Sequence, residues 1–472
     1  MRFQVDKKEI SDFINLSFRV ANSHDNVLVV SRFTAEIDET FLRNRASFIK
    51  SEIIQDADFN YAFCKLAGIC NMEEQRCSIC PVRNYCNTYI NQCRQSVKDD
   101  AHKMIDLFCG AGGLSLGFTQ EGFVTALAND IQECCVDTYA HNHPETPRNR
   151  IILGDVKDVV DSIEKLVDTN AIDIVVGGPP CQGFSMANRQ RLIDDPRNYL
   201  YKNYVEIVRK VHPKFFVMEN VKGMLAVAEQ VKDDFRHIGY TVVCHVLNAK
   251  DYGVPQSRER LIYIGNRLGI DNDTIFQQIF DLSKKIPDYV LKDALFGLRK
   301  LEAARIKNAT ESENTDSGFI IERNEMQRTN EYIEYINQGR SVPFVCNHKA
   351  RYNNDRDIEI YRRMTQGDKS DDPKIADIMP YKNRSDIFKD KYYKLVENNV
   401  CKTITAHMKF DCNMYIHPTQ ARGLTPREAA RVQSYPDDYF FRGAYTKTYM
   451  QIGNSVPPLL GRAIASVVKR YL

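Results

Sequence analysis

The chain has 472 residues, of which 43% are hydrophobic and 27% charged, and these proportions exclude a mainly disordered or collagen-like protein. Sixty-four Lys and Arg residues against 62 Asp and Glu residues give a net charge of +2, so any surface for nucleic acid must be local. The N-terminal residues lack an apolar signal region, and no apolar run approaches the roughly 18 residues of a membrane helix, which predicts an intracellular protein.

Six of the 14 cysteines lie between residues 64 and 93, and such a cluster in a long chain indicates metal ligation rather than disulfides. Four of them, spaced C-x6-C-x2-C-x5-C, are Cys70, Cys77, Cys80 and Cys86. This spacing resembles the four-iron four-sulfur loop of endonuclease III-type glycosylases, although zinc could be held by the same thiolates. A complete glycosylase does not fit, because Gly68 is the only glycine before residue 101. We therefore predict a metal-binding module over residues 1–100.

Hydrophobic patterning divides the remainder of the chain into three segments. Between residues 101 and 270, short apolar runs alternate with longer amphipathic stretches, which predicts βαβ units around a parallel sheet. Residues 271–420 are polar and irregular, and residues 341–410 contain 14 Lys and Arg against 10 Asp and Glu. From residue 421 the pattern is regular again, because Thr425 and Glu428 form a capping box and a terminal amphipathic helix follows.

A glycine-rich turn, CGAGG, directly follows the first predicted strand of the α/β segment. Glycines at a strand-to-helix turn let a ligand approach the backbone closely. Asp130 ends the next apolar run and could bind a pair of ribose hydroxyls, and Asp155 follows the third run and could accept an adenine amino group. The three elements together indicate an adenosine-containing cofactor. The alternative is a tight turn with two helix-capping aspartates.

Cys181 follows the buried run IDIVVGGPP, whose glycines and prolines end the strand. The cysteine is therefore expected on a loop at the carboxyl edge of the sheet, where doubly wound sheets bind their ligands. A thiolate at this edge could be a nucleophile if its pKa is lowered. The alternative is a structural cysteine.

Three charged residues accompany the later strands. Glu219 ends an apolar strand within FFVMENV, where burial should raise the pKa of its carboxyl and allow proton transfer near neutrality, unless it only caps a helix. Arg258 and Arg260 precede the strand LIYIG, and alternation places them on one side of an extended segment. Their guanidinium groups could reach a phosphate or a carbonyl oxygen, or else form an ordinary salt-bridged strand edge.

Six motifs, in order and spacing, make residues 104–472 resemble the DNA cytosine-5 methyltransferases. They are DLFCGAGGLSLGF, GGPPCQGFS, MENV, QSRER, RGLTPREAARVQSYPDDY and QIGNSVPP. The resemblance implies a Rossmann-like fold and an S-adenosylmethionine-dependent enzyme that flips a cytosine out of the DNA duplex. It also implies a target-recognition domain over residues 271–420 and a hinge and C-terminal helix over residues 421–472.

The resemblance implies a role for each motif residue. Cys181 is the nucleophile that bonds to C6, and Glu219 contacts N3 and N4 of the base. Arg260 contacts the base carbonyl, with Arg258 beside it. The implied cofactor site consists of Phe108, Gly110, Ala111, Gly112, Asp130, Ile131, Asp155, Val156, Pro179, Asn454 and Val456. Ile131 departs from many relatives, which place an aromatic side chain against the adenine.

Double-stranded DNA is the implied partner, and a cognate restriction endonuclease is a further one. We expect a monomer associated with a prokaryotic nucleoid. Two alternatives are a tRNA cytosine-5 methyltransferase and a DNA-binding repair or regulatory protein whose methyltransferase half is inactive. The recognised base sequence cannot be derived, because base readout depends on how side chains of the irregular segment dock on DNA.

Overall fold

The computed structural model describes residues 87–180, 199–307, 313–323, 328–340, 342, 344–380 and 391–472. Cys181 and the four regularly spaced N-terminal cysteines lie outside these described residues.

A seven-stranded sheet in the order β3-β2-β1-β4-β5-β7-β6 forms the centre of the molecule, and a two-stranded ribbon, β8-β9, lies outside it. The strands are β1 (Lys103–Leu107), β2 (Val124–Asp130), β3 (Ile151–Leu153), β4 (Ile174–Gly177), β5 (Phe215–Asn220), β6 (Thr241–Asn248), β7 (Glu259–Asn266), β8 (Ile321–Arg323) and β9 (Phe344–Cys346).

The sheet is mixed, which corrects the expectation of a purely parallel one. Strands β1 to β5 pair in parallel, but β7 runs antiparallel to both of its neighbours, β5 and β6. Strands β6 and β7 are joined by residues 249–258, a connection without the crossover helix that a parallel pair needs. Strand β7, the last of the seven strands in chain order, therefore lies between β5 and β6. The carboxyl ends of the parallel strands and the beginning of β7 meet at one edge.

Helices cover both faces of the sheet. They are α1 (Asn87–Gln95), α2 (Gly113–Gln120), α3 (Glu133–Asn142), α4 (Val156–Leu166), α5 (Tyr199–Val211), α6 (Ala228–His237), α7 (Asn272–Ser283), α8 (Leu291–Leu295), α9 (Glu331–Ile336), α10 (Asp355–Arg363), α11 (Pro426–Val432), α12 (Tyr445–Asn454) and α13 (Pro458–Val468).

Alternating strand residues form two cores, one on each face. Met104, Val176 and Val217 face a core that contains residues of α2, α7 and α13. Ile105 and Val175, their neighbours along β1 and β4, face a second core that contains residues of α4, α5 and α6. Buried on both faces, these strands appear in the sequence as continuous apolar runs.

Residues of the C-terminal segment share a core with one face of the central sheet. The Thr425 hydroxyl accepts the backbone N–H of Glu428, whose carboxylate accepts the N–H of Thr425 at 2.7 Å, and this capping box begins α11. The apolar pairs of α13 are buried, and α13 packs along α2. Helix α7, which falls within residues 271–420, also packs on the catalytic core.

A small separate core lies within the predicted target-recognition segment. It contains Ile360 and Tyr361 of α10 and Met364, which directly follows the helix. Tyr392 and Ile416, from later in the chain, also belong to it. No helix in the described part of the chain is long and apolar enough to cross a membrane.

Candidate active site

The glycine turn after β1 has the conformation that its composition predicts. Phe108, Gly110 and Gly112 have left-handed backbone angles, with φ of 56°, 54° and 77°. The Gly110 N–H donates to the Asp130 carboxylate at 2.9 Å, which joins the turn to the end of β2. A side chain added at Gly110 would meet nothing within 4 Å, so there is open space above the turn.

The two predicted cofactor aspartates differ in their surroundings. The Asp130 carboxylate also accepts the N–H of Gln132 at 2.7 Å, and burial raises its pKa above the ordinary value. Asp155 caps α4 by accepting the N–H of Lys157 at 2.9 Å, which is the helix-capping role foreseen as the alternative. Its proposed contact with an adenine amino group remains a prediction.

Two exposed aliphatic side chains flank the same edge of the sheet. Ile131 follows β2 and is 65% exposed, and Leu153 ends β3 and is 47% exposed. Asp130 and Leu153 are paired across β2 and β3, so the two apolar groups lie near each other. Leu153 is therefore a candidate apolar contact for an adenine ring. The sequence analysis did not identify this residue. Its only sequence signal is an apolar residue at a strand end.

Asp106 is a second residue that the sequence analysis missed. It lies in β1, is 1% exposed, and its Oδ2 has no hydrogen-bond partner in the structure. Burial, with a smaller contribution from the charge of Asp130 and against a hydrogen bond from Ser115, raises the pKa of its carboxyl to about 7. A buried carboxyl with an unused oxygen beside a glycine turn is suited to a cationic ligand group.

The turn is enclosed by residues from the C-terminal segment. The Tyr439 hydroxyl donates to the Ala111 carbonyl, although 328 residues separate them. A Cβ at Gly113 would lie 2.2 Å from both the Ser455 hydroxyl and the Val456 carbonyl, so only glycine fits there. Asn454, at the end of α12, is exposed. The motifs at residues 106–113 and 435–456 therefore form one structural unit.

The loop after β4 approaches the end of β5 closely. A Cβ at Gly178 would lie 2.7 Å from Oε2 of Glu219, and Asn220 donates its side-chain amide to the Pro179 carbonyl at 3.0 Å. Pro180 is exposed, and Cys181 is the next residue along the chain. The Gly-Gly-Pro-Pro loop thus directs the chain toward Cys181 from beside the Glu219 carboxylate.

Glu219 and Arg260 form an ion pair at this edge. Nε of Arg260 lies 2.7 Å from Oε1 of Glu219, and the two side chains are 15% and 12% exposed. The antiparallel pairing of β5 with β7 places them side by side, since Asn220 is paired with Leu261. The Glu219 carboxylate, an acceptor, and the Arg260 guanidinium, a donor, thus lie together. Both are partly accessible, so a nucleic-acid base could contact them.

Arg258 is more deeply buried than Arg260. Its side chain is 1% exposed and donates to the carbonyls of Ile404 at 2.7 Å and Gly453 at 2.9 Å. Burial lowers the pKa of its guanidinium well below the ordinary value, and the nearby charges of Arg260 and Glu219 also act on it. Arg258 thus ties three distant segments together from a buried position, and its predicted place beside Arg260 at the base remains a prediction.

No group of three or more His, Cys, Asp or Glu side chains in the described ranges could hold a metal ion. The four regularly spaced cysteines lie outside those ranges, so this observation does not concern them.

The mixed sheet, in which β7 runs antiparallel between β5 and β6, is the α/β fold of the methyltransferases that use S-adenosylmethionine. Residues 102–470 match the model of the family described as C-5 cytosine-specific DNA methylase. The chain belongs to this family and is a DNA (cytosine-5) methyltransferase.

Relatives extend over most of the chain. The type II methyltransferase M1.HphI of Haemophilus parahaemolyticus is 33% identical over 372 residues, which cover 77% of this chain and 86% of that protein. The type II methyltransferase M.DdeI of Desulfomicrobium norvegicum is 33% identical over 395 residues, covering 78% and 88%. A crystal structure described as that of a prophage-encoded DNA modification methyltransferase of E. coli superimposes with a TM-score of 0.61 at 27% identity, covering 78% of this chain and 99% of that one. None of these findings supports the predicted iron-sulfur loop.

Proposed function

We propose that the enzyme methylates C5 of a cytosine flipped out of a specific duplex sequence, through a transient bond between Cys181 and C6. The observation that supports this is the Glu219–Arg260 ion pair beside the loop that leads to Cys181. An acidic and a basic side chain at this position can bind the polar edge of a pyrimidine. The nucleophile would approach the ring from the adjoining loop.

S-adenosylmethionine fits the residues around the glycine turn. Ile131 and Leu153 offer apolar surface for the adenine, and Asp130 offers a carboxylate for the ribose hydroxyls. The unpartnered Oδ2 of Asp106 suits the methionine ammonium group. The remaining proposed contacts come from Phe108, Gly110, Ala111, Gly112, Asp155, Val156, Pro179, Asn454 and Val456. When bound, the cofactor supplies an electrophilic methyl group.

The protein's part in the chemistry follows from the weak nucleophilicity of cytosine C5. The Cys181 thiolate forms a bond to C6, and a proton held between Glu219 and N3 compensates the charge that moves into the ring. Arg260 holds the base carbonyl through its guanidinium. C5 would then bond to the methyl group as the bond from that group to the cofactor sulfur breaks, and the sulfur would keep the electron pair and leave as a neutral thioether. Loss of the C5 proton breaks the bond from sulfur to C6, releases the thiolate and restores the aromatic ring.

A mechanism-based trap tests this proposal. Duplex DNA containing 5-fluorocytosine at the target should form a stable adduct with the protein, because fluorine at C5 cannot leave as a proton. Peptide mapping should locate the adduct at Cys181. Cys181→Ser should lose adduct formation and methylation, whereas Cys244→Ser, at a half-buried cysteine in β6, should keep both. Methylation of tRNA but not of duplex DNA would contradict the proposed substrate, and Cys181→Ser with normal activity would contradict the nucleophile.

We also propose that Cys70, Cys77, Cys80 and Cys86 hold a four-iron four-sulfur cluster within a module over residues 1–100, with zinc as the alternative occupant. The support is the cysteine spacing alone. Anaerobic purification should yield brown protein with about four iron atoms per chain, which follows from the cluster type. Stoichiometric zinc without iron would contradict the cluster.

The domain limits suggested by the sequence, 101–270, 271–420 and 421–472, are part of this proposal, with a recognition domain built around the small core of α10. We further propose that the enzyme acts as a monomer on the nucleoid and is paired with a cognate restriction endonuclease, as the type II relatives suggest. Bisulfite sequencing of host DNA expressing the chain would reveal the methylated sequence, and an endonuclease that cuts only the unmethylated sequence would be its partner.

A further inference from the structure

Two adjacent cysteines, Cys134 and Cys135, lie in the first turn of α3. This helix follows directly on Asp130 and Ile131, two residues of the proposed cofactor site. Cys134 is partly exposed, whereas Cys135 is buried. The pair therefore places a solvent-accessible thiol next to the cofactor site, and the proposed reaction does not use it.

The position of α3 is fixed by the segment that precedes α12. The Asn142 side chain donates to the Phe440 carbonyl at 2.8 Å and accepts the Phe440 N–H at 2.9 Å. Further along this segment, a Cβ added at Gly443 would lie 3.1 Å from Cβ of Cys134 and 3.7 Å from Cβ of Lys447. Cys134 and the exposed Lys447 thus lie against the same glycine. The thiol therefore has a basic side chain as its neighbour.

The surroundings of the Cys134 thiol favour its ionised form. A hydrogen bond from the Cys135 thiol is the largest effect, and together with the nearby charge of Lys447 it lowers the pKa of Cys134 below the ordinary value. Burial and the charge of Asp130 act in the opposite direction but are outweighed. In contrast, burial raises the pKa of Cys244, a cysteine of similar exposure in β6. Because the thiolate is the nucleophile, Cys134 should be the more reactive of these two cysteines.

The two adjacent cysteines are unsuited to forming a disulfide with each other. Neighbouring Cα atoms lie about 3.8 Å apart, whereas a disulfide usually joins residues whose Cα atoms are about 4.4 to 6.8 Å apart. Closing the bond would therefore distort the first turn of α3. Because Cys135 is also buried, a reagent from solution meets Cys134 first.

We propose that Cys134 is a modification site that forms a mixed disulfide with a low-molecular-weight disulfide, and that the attached group blocks the cofactor site. The Cys134 thiolate bonds to one sulfur of the small disulfide, whose sulfur–sulfur bond breaks. The other half leaves as a thiolate and takes up the proton that Cys134 released. Excess free thiol reverses the exchange.

The blockage follows from the short path between Cys134 and the proposed cofactor contacts. The charge of Asp130 acts on the Cys134 thiol, so the two groups are close, and Ile131 lies between them in the chain. A group attached to the sulfur would compete with the cofactor for the space at these residues. This part of the inference rests on the proposed function, because it takes Asp130 and Ile131 as cofactor contacts, but the modification itself does not.

The rate of modification tests the reactive thiol. With oxidised glutathione at pH 7, peptide mapping by mass spectrometry should show Cys134 reacting at least about tenfold faster than Cys244. Lys447→Ala should slow the reaction at Cys134 severalfold, and Lys447→Arg should keep it fast because the charge is retained. Equal rates at Cys134 and Cys244 would overturn the proposed modification site.

Binding of S-adenosylmethionine, measured by calorimetry, tests the blockage. Treatment with oxidised glutathione should raise the Kd of the wild type at least about tenfold, and excess reduced glutathione should restore it. Cys134→Ser should bind like the untreated wild type before and after treatment, whereas Cys244→Ser should remain sensitive. Binding is measured instead of methylation because modification of Cys181 would stop methylation by itself.

Two results separate this inference from the proposed function. An unchanged Kd in wild-type protein that carries the mixed disulfide at Cys134 would overturn the blockage. Failure of the untreated protein to bind S-adenosylmethionine would instead refute the proposed cofactor site, and the reaction rate at Cys134 would still decide whether this thiol is a modification site.

Discussion

The buried position of Asp106 makes the ionised form of its carboxyl energetically costly. Its carboxyl is buried within the central strand β1, has one oxygen without a partner, and lies near the charge of Asp130. Each factor disfavours the charged form, which brings the pKa of the carboxyl from 3.8 to about 7. The folded protein therefore keeps a proton on Asp106 at pH values where the unfolded chain has released it.

The stability of the protein without cofactor should consequently fall as pH rises from about 4 to about 7. The difference between the two pKa values corresponds to about 4 kcal/mol at most. The side chain of Asp106→Asn cannot ionise, so the variant should lack this loss of stability. The free energy of unfolding of the variant minus that of the wild type should therefore increase over this pH window and stay constant above it. Urea unfolding at several pH values measures this, with exposed Asp161→Asn as the control. Parallel curves for the wild type and Asp106→Asn would contradict the account.

Among the elements, the glycine turn is supported by residues 433–444, the segment between α11 and α12, which we name the brace. Tyr435 and Tyr439 lie against the turn, and the Tyr439 hydroxyl donates to the Ala111 carbonyl. The brace holds the backbone groups that the cofactor is proposed to meet. Tyr439 is thus a positioning residue, acting through the turn.

Tyr439→Phe removes this hydrogen bond and the 3.5 Å contact of the hydroxyl with Nε2 of His143, and it should raise KM for S-adenosylmethionine roughly fivefold, in line with about 1 kcal/mol for a neutral hydrogen bond. KM for DNA should change much less. Tyr449→Phe is the matched control, because the buried Tyr449 hydroxyl donates to the Leu424 carbonyl at 2.6 Å, away from the turn. If both variants lose stability but neither changes KM for the cofactor, the brace has no positioning role.

The elements also show which features can be predicted from sequence. The capping box at Thr425, the buried face of α13 and the end of β2 at Asp130 depend on residues a few positions apart, and each was predicted. The direction of β7 and the burial of Arg258 depend on neighbours that are far away in the chain. Local patterns carry no information about such neighbours, so these two features were found only in the structure.

At the scale of the whole molecule, Arg258 joins the sheet to the C-terminal half. Its guanidinium donates hydrogen bonds to the carbonyls of Ile404 and Gly453, which lie 146 and 195 residues further along the chain. The main core likewise contains residues from β1 through α13. The catalytic sheet and the C-terminal helices should therefore unfold together.

Arg258→Ala leaves two buried carbonyls without donors and opens a cavity, so we expect a loss of about 3 to 5 kcal/mol in the free energy of unfolding. Calorimetry should show one main transition that shifts to lower temperature as a unit. Arg209→Ala, at a surface pair with Glu206, should barely change the transition. Separation of the sheet and the C-terminal helices into two transitions would contradict this view of the molecule.

The contact between Ala111 and Tyr439 has a consequence for biosynthesis. A ribosome adding about 5 to 20 residues per second needs on the order of half a minute to travel between these positions, which are 328 residues apart. During that interval the nascent chain has its glycine turn but lacks the tyrosine that supports it. Newly made polypeptide should therefore be unable to modify the chromosome until translation of this segment is complete, and the uncovered sheet would be a target for chaperones.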